Sequence, residues 1–303
     1  MWLCLLILLL IWALNFLVGK IALRHFEPLT LGSFRLIVAG IFVLFLYPIC
    51  RHMPMFAEAI ESHRRRRTLR DYWTFFYLAF FGVAVNQLCF TVGLRYTSVS
   101  HSAIIVGMGP IYALILAVLF GLERATFRKV LGMAIALGGV FLTAAGPTLT
   151  RRSPTLMGDL ITLAGSLGFA LYAALGKRVA GHYDALTMTT YNFVFGAFIV
   201  LPFAIHGALA LGPLENWKAI PWWAWVCMLY MGLLSSTLAY LLYFWLLRYL
   251  EVTQLAAYNY LLPVSATVLS ILLLGERGSW LELVGGALAL SGVYYIEAPR
   301  LQS

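Results

Sequence analysis

Charged residues are scarce in this chain. They make up 11% of its 303 residues and apolar residues make up 62%, whereas soluble domains carry about 25% charged residues. This scarcity excludes a soluble globular enzyme. At about 20 residues per membrane-spanning helix, ten spans take about 200 residues and leave about ten for each connection. We therefore expect no extramembrane domain among these residues.

The motifs of catalysis and cofactor binding are also missing. The sequence contains no HExxH, no GxSxG and no phosphate-binding glycine loop, so we predict no catalytic residue and no enzyme. Its four cysteines, Cys4, Cys50, Cys89 and Cys227, form no CxxC pair. We therefore expect no metal site and no cofactor.

Acidic residues are absent from the middle of the apolar segments. Glu27, Glu123, Asp159 and Glu276, for example, lie at segment ends or just outside them. Proton-coupled carriers often titrate an intramembrane carboxylate, and no such group is available here. His101, at the start of the fourth segment, is the only candidate for titration near neutral pH, with an ordinary interfacial histidine as the alternative.

Basic residues outnumber acidic ones, by 21 to 12, and they cluster. Arg51, Arg70 and the run 64–67 lie between two apolar segments, where the positive-inside rule predicts a cytoplasmic loop facing anionic lipid. With this loop inside, both termini are predicted to be cytoplasmic. The expected partners are the lipid bilayer of the cell inner membrane and a small-molecule substrate. We expect no nucleic-acid partner.

Ten apolar segments follow one another along the chain. Leu, Ala and Phe dominate them without alternating polarity, which favours helices over the strands of a β-barrel. We predict an all-α polytopic membrane protein with ten transmembrane helices. The segments are 2–23, 31–49, 73–94, 102–119, 130–145, 160–180, 188–205, 222–247, 255–274 and 281–296.

The two halves of the sequence repeat each other. Pro263 lies 153 residues after Pro110, and at this shift 17 of the 47 residues from 94 to 140 are identical. Gly176-Lys177 lies 157 residues after Gly19-Lys20. Duplication explains these matches, and because each copy has five spans, the second must cross the membrane in the opposite sense. We predict two inverted five-helix repeats, 1–147 and 154–298.

Matched helix interruptions in such repeats are typical of a binding site near the middle of the membrane. Pro110 and Pro263 fall at equivalent positions in the fourth and ninth spans, and Gly107 and Gly109 would loosen the first of them further. These four residues are the candidate hinges. A kink without contact to a ligand is the alternative.

Polar residues within the spans are the candidate lining of a central cavity, because they must be satisfied by protein, water or ligand. Ser236, Tyr240 and Tyr243 share one helical face, and Asn86 and Gln87 lie at the equivalent place in the first half. Hydrogen bonds between helices are the alternative for these groups, and snorkelling to the membrane surface is the alternative for the lysines. The predicted cavity residues are Asn15, Lys20, Asn86, Gln87, Tyr172, Lys177, Ser236, Tyr240, Tyr243, Trp245, Tyr258 and Asn259.

Small residues form a stripe in the fifth span and another in the tenth. Gly132, Ala136 and Gly139 make up the first, and Gly285, Ala289 and Gly292 make up the second. Such stripes allow helices to pack closely. Packing within one chain fits a monomer, and a contact between two copies in a homodimer is the alternative.

The chain resembles the EamA-type carriers of the drug/metabolite transporter superfamily over essentially its whole length. The resemblance rests on the order and duplication of short segments, which are 12–16, 19–20, 28–35, 93–98, 110, 121–124, 158–160, 176–177, 263–264 and 274–277. It implies a cavity lined mainly by the third, fourth, eighth and ninth helices, with the first and sixth.

The resemblance also implies a function. A carrier of this kind exports small metabolites by alternating access, and amino acids and their derivatives are a common substrate class. Two alternatives remain, which are import or exchange of another solute, such as a nucleotide sugar or a drug-like cation, and a membrane scaffold or receptor that transports nothing.

Overall fold

The computed structural model describes residues 2–52, 68–97, 105–144, 156–262 and 280–297, together with Ser102 and Ser265. Helix is the only regular secondary structure that these residues form. A short helix, Leu214–Ala219, lies in the connection between α7 and α8. The main helices are α1 (Trp2–Ala22), α2 (Pro28–Cys50), α3 (Leu69–Tyr96), α4 (Gly109–Leu119), α5 (Phe127–Ala144), α6 (Leu156–Val179), α7 (Ala185–Leu211), α8 (Trp222–Tyr249), α9 (Val252–Ala257) and α10 (Trp280–Glu297).

Six of these helices, α1, α2, α3, α6, α7 and α8, are long and apolar enough to cross a membrane. Shorter apolar helices cover Ile105–Leu119 and Val284–Ile296. These findings confirm the all-α polytopic membrane fold. Helix α9 covers only the start of the ninth predicted span, and residues 263–264 and 266–279 lie outside the described part, so the count of ten spans stays a prediction.

Helices α2 and α7 begin with the same local structure. The carboxylate of Glu27 accepts a hydrogen bond from the backbone N–H of Thr30 at 2.9 Å, and Asp184 does the same for Thr187 at 2.8 Å. An acidic N-cap satisfies an N–H group that has no partner within the helix, and it interacts favourably with the helix dipole. The capping residues are 157 positions apart, so the two halves also share the residues that begin these helices.

Helices α5 and α10 pack against each other along their small-residue stripes. A Cβ atom added at Gly139 would lie 2.5 Å from the carbonyl oxygen of Gly285, and one added at Gly292 would lie 2.6 Å from that of Gly132. Only glycine allows this approach of two backbones. Because the higher-numbered residue of one helix meets the lower-numbered residue of the other, the two helices run antiparallel.

Helices α2 and α7 form a second antiparallel pair. Gly40 faces its repeat equivalent Ala197, to which a Cβ atom at Gly40 would approach within 2.6 Å. Nearer the helix ends, Thr30 packs against Gly207, and the hydroxyl of Tyr47 lies 3.5 Å from that of Thr187. In both pairs, equivalent helices of the two halves meet in opposite directions.

Helices α3 and α8 each contain a π-helical segment, at Ala79–Val85 and Met231–Leu238. The two segments end 153 residues apart, which is the repeat shift. π-Helical turns widen the helix, disturb the backbone hydrogen-bond ladder and are frequent at functional sites. No pattern in the sequence predicted these π-helical segments.

Candidate functional site

A cavity lies between the helices, with about 660 Å³ of atom-free space that includes the open solvent at its mouth. Among the described residues, its walls come from α1, α2, α3, α6 and α8, from the short helical stretch 105–107 before α4, from the first residue of α4, and from the segment that follows α9. Both halves of the chain therefore contribute. The polar lining residues are Asn15, Arg35, Asn86, Gln87, Ser166, Ser235, Tyr240 and Asn259.

Arg35 is the basic residue among these lining side chains, and it is 2% exposed. Its Nε and Nη2 groups donate hydrogen bonds to Oγ of Ser236, at 3.3 and 3.1 Å. Its Nη1 group has no hydrogen-bond partner among the described residues. Arg35 was not among the candidate residues chosen from the sequence, although a charge within the second apolar segment costs about 2.5–3.5 kcal/mol on insertion scales and was itself a signal of function.

Ser236 connects Arg35 to the third helix. Its Oγ lies 2.7 Å from Oε1 of Gln87 and 2.8 Å from the carbonyl oxygen of Met231. Gln87 is 3% exposed, and its Nε2 group has no partner in the described part of the chain. Ser236 is fully buried behind the cavity wall, where it holds Arg35 and Gln87 in position.

Tyr240 joins the two halves at the cavity wall. Its hydroxyl lies 2.8 Å from the carbonyl oxygen of Gly82 and 3.0 Å from Oδ1 of Asn86. The Nδ2 group of Asn86 donates to the carbonyl oxygen of Gly165 at 2.9 Å. Asn86 is therefore held between α6 and α8, and its amide forms a firm part of the wall.

Aromatic rings cover much of the remaining surface. Trp12 contacts Phe169 with ring centroids 5.6 Å apart, and its Nε1 group donates to the carbonyl oxygen of Ser235 at 3.3 Å. Phe16 and Phe90 form an edge-to-face pair at 5.1 Å. The cavity thus combines an apolar aromatic wall with a few fixed polar groups, which is typical of small-molecule sites. The remaining lining residues are Val106, Gly109 and Leu262.

Two further lining residues carry buried polar atoms without a described partner. They are Oδ1 of Asn15, in α1, and Oγ of Ser166, in α6. Both residues are less than a tenth exposed. Buried polar atoms are normally hydrogen-bonded, so an atom without a partner at a cavity wall indicates a position for water or ligand.

The structure brings five of the predicted cavity residues to the wall, which are Asn15, Asn86, Gln87, Tyr240 and Asn259. Tyr172 and Tyr243 lie in the aromatic core next to it, where Tyr172 accepts a hydrogen bond from Asn192 at 3.4 Å and Tyr243 packs against Trp12. Ser236 lies one layer behind the wall.

Lys20 and Lys177 do not line the cavity. Lys20 donates to the carbonyl oxygen of Leu94 at 3.1 Å, and Lys177 donates to those of Leu247 and Leu250 at 2.8 and 2.6 Å. The two lysines therefore make the same contact in the two halves. Each compensates carbonyl groups at a helix C-terminus, where a cation is favourable.

Trp245 and Tyr258 also lie away from the lining. Trp245 is 37% exposed and packs against Tyr249, with ring centroids 5.0 Å apart. Tyr258 contacts the ring of Trp2 at 6.4 Å. Sequence position alone had placed both near the cavity.

Of the candidate hinges, Gly109 lines the cavity as the first residue of α4. A turn at Met108 separates it from the helical residues before it, and Gly107 packs towards Val140. Pro110 is buried in the first turn of α4, where a proline costs no helical hydrogen bond. Pro263 lies outside the described residues.

The model of the EamA-like transporter family matches residues 1–145 and 156–297 of this chain. The chain belongs to the EamA-like transporter family. It is therefore an integral membrane transporter, and the predicted membership is confirmed. Among the described residues of this EamA-like chain, no group of three His, Cys, Asp or Glu side chains is placed to hold a metal ion.

Related EamA-like chains align over most of its length. A protein of Archaeoglobus fulgidus, named "Uncharacterized transporter", is 25% identical over 97% of this chain and 96% of its own. A protein of Streptantibioticus cattleyicolor, named "Probable terminal-alkyne amino-acid exporter", is 26% identical over 73% of this chain and 71% of its own. A solved crystal structure matches with a TM-score of 0.70 at 18% identity, covering 99% of this chain and 98% of that one, and shares the fold.

Proposed function

We propose that this EamA-like protein is a secondary transporter that exports small metabolites, mainly amino acids or related amphipathic compounds. The observation that carries the proposal is the cavity, which lies inside a bundle of membrane-spanning helices and takes polar and aromatic residues from both halves. A site of this kind suits a solute that has both polar groups and an apolar body. The printed name of the Streptantibioticus cattleyicolor relative supports an amino-acid-like solute.

The mechanism we propose is alternating access between two inverted repeats. It is supported by the antiparallel pairing of α5 with α10 and of α2 with α7, because an axis in the membrane plane relates equivalent helices in opposite directions. Rocking of one half against the other then exposes the cavity to each side in turn. The proposed location is the inner membrane, with both termini in the cytoplasm, on the basis of the Arg-rich stretch 51–70.

Efflux from proteoliposomes tests the proposal. The purified protein is reconstituted with a panel of radiolabelled amino acids inside the vesicles, and efflux is compared between the wild type and the variants Tyr240→Ala and Asn259→Ala. We expect both variants to slow efflux several-fold, because each removes a side chain from the cavity wall. The matched controls are Tyr294→Ala and Asn216→Ala, which alter exposed residues of the same types.

Three results have distinct meanings. Slower efflux in the cavity variants alone supports the proposal. Equal efflux in all four variants contradicts the assignment of the cavity. If no amino acid of the panel leaves vesicles that contain the wild-type protein faster than it leaves protein-free vesicles, the proposal of amino-acid export is wrong.

A further inference from the structure

We infer that Arg35 binds the anionic group of the solute, and that the transported compounds are small carboxylates with an apolar or aromatic body. This inference deepens the proposed transport function. Only the statement that the bound compounds are transported rests on that function. The binding chemistry itself depends only on the cavity. None of the candidate residues chosen from the sequence supplied a cation to this wall.

Arg35 is incompletely paired among the described residues. A guanidinium carries five N–H donors, yet its described contacts use one neutral hydroxyl oxygen, that of Ser236. The ion pairs of the described residues join Lys129 to Glu123 and to Glu251, and none includes Arg35. A buried charge without a counter-ion is unfavourable, so the site is completed by an anion that enters the cavity.

The surroundings of Arg35 bring no negative charge among the described residues. The other described lining residues are neutral amides, hydroxyls, aromatic rings and aliphatic groups, and no acidic side chain is among them. The described lining therefore carries one net positive charge, on a buried side chain. Such a site favours anions and disfavours organic cations by electrostatics alone.

The two halves of the chain differ in charge at this position. The repeat equivalent of Arg35 is Asn192, 157 positions later, which is fully buried and donates to the hydroxyl of Tyr172. Helix packing at this position of the fold is thus compatible with a neutral side chain. The positive charge of Arg35 therefore has no counterpart at the equivalent position of the second half, which points to binding and not to packing.

The polar groups at the cavity wall indicate a carboxylate on an apolar body. The planar fork of arginine matches a carboxylate, and the buried Nη1 group is a donor without a partner among the described residues. Gln87 offers a second unpartnered donor in Nε2, and Asn15 offers an unpartnered acceptor in Oδ1 that suits an ammonium group. Trp12 and Phe169 provide the surface for an apolar body.

A binding experiment on the wild-type protein tests the inference without any variant. Thermal unfolding in detergent is followed with four probes that share a phenyl group, namely 3-phenylpropionate, L-phenylalanine, L-phenylalaninamide and phenethylamine. We expect the two carboxylates to raise the apparent melting temperature in a concentration-dependent way, because they bind the folded state. We expect the amide and the amine to leave it unchanged. Stabilisation by phenethylamine equal to that by 3-phenylpropionate, or no stabilisation by either carboxylate, overturns the inference.

Variants of Arg35 then assign the effect to this residue. In Arg35→Gln we expect the preference for 3-phenylpropionate over phenethylamine to disappear. In Arg35→Lys, which keeps the charge but loses the planar fork, we expect binding about tenfold weaker than in the wild type. Arg95→Gln is the matched control, because Arg95 is an exposed arginine outside the lining. We expect this variant to prefer 3-phenylpropionate over phenethylamine as the wild type does.

Flux measurements separate this inference from the proposed function. If carboxylates bind through Arg35 but none crosses proteoliposomes, the inference stands and the proposed export is wrong. If L-phenylalanine is transported equally by the wild type and by Arg35→Gln, export stands and the role of Arg35 is wrong.

Discussion

The hydroxyl of Tyr240 lies 2.8 Å from the carbonyl oxygen of Gly82. Gly82 belongs to the π-helical segment of α3, and Tyr240 follows the corresponding segment of α8. A π-helical turn leaves backbone carbonyl groups poorly paired, so a tyrosine from the other half can donate a hydrogen bond to one of them. This contact joins the two halves at the wall of the cavity.

Tyr240→Phe removes this hydrogen bond and leaves the ring in place. We expect the free energy of unfolding to fall by about 1 kcal/mol, since a buried carbonyl loses its partner. We also expect slower efflux, because the amide of Asn86 loses a contact on the cavity wall. Thermal unfolding in detergent and proteoliposome efflux measure the two effects.

Tyr230→Phe is the control for that substitution. The hydroxyl of Tyr230 donates to the carbonyl oxygen of Ile11 at 3.0 Å, and Tyr230 does not line the cavity. We expect a similar loss of stability with unchanged efflux. Equal slowing of efflux by both substitutions would show that stability, and not the cavity wall, limits transport.

Gly139→Ala tests the close packing of α5 against α10. The added Cβ would lie 2.5 Å from the carbonyl oxygen of Gly285, and backbone atoms cannot move aside cheaply. We expect the free energy of unfolding to fall by about 1–3 kcal/mol. The neighbouring Gly138→Ala places its Cβ 3.8 Å from Leu288 and is expected to be neutral or slightly stabilising. Equal melting temperatures for the two variants would contradict the packing described here.

Lys20→Met and Lys177→Met test whether the lysines fasten helix ends or bind solute. Each substitution removes a cation from carbonyl groups at the end of α3 or α8. We expect each to lower the free energy of unfolding by about 1–2 kcal/mol. The solute concentration that gives half-maximal efflux should stay at the wild-type value, because neither lysine lines the cavity. A marked rise in that concentration would indicate that the lysines take part in binding the solute.

Cysteine labelling tests the inverted arrangement. His25 and His182 are exposed equivalents in the first connections of the two halves. In a background without the four native cysteines, His25→Cys should react with a membrane-impermeant maleimide in right-side-out vesicles, and His182→Cys should react only in inside-out vesicles. Labelling of both positions from the same side would rule out inverted repeats.

The sequence predicted the helices well and the cavity in part. Most apolar segments gave helices within a few residues, but α7 continues to Leu211, past its predicted end at 205, and α9 covers only the start of the ninth segment. Helix α2 begins at Pro28, three positions before its apolar segment, because Glu27 caps it. Asn86, Gln87 and Tyr240 were found because polar residues inside apolar spans are conspicuous. Lys20 and Trp245 met the same criterion, yet Lys20 donates to a carbonyl group and Trp245 faces outward. Only the packing of neighbouring helices determines which polar residues reach the cavity.

Helices and duplication were determined by the amino-acid sequence alone. Long apolar segments in lipid must satisfy their backbone hydrogen bonds internally, and helices do this whatever their neighbours are. The partners of the polar groups were decided only by the tertiary structure. Arg35 and Ser236 lie 201 positions apart. Helix packing alone brings them together at the cavity, with Nη1 of Arg35 buried and without a hydrogen-bond partner among the described residues.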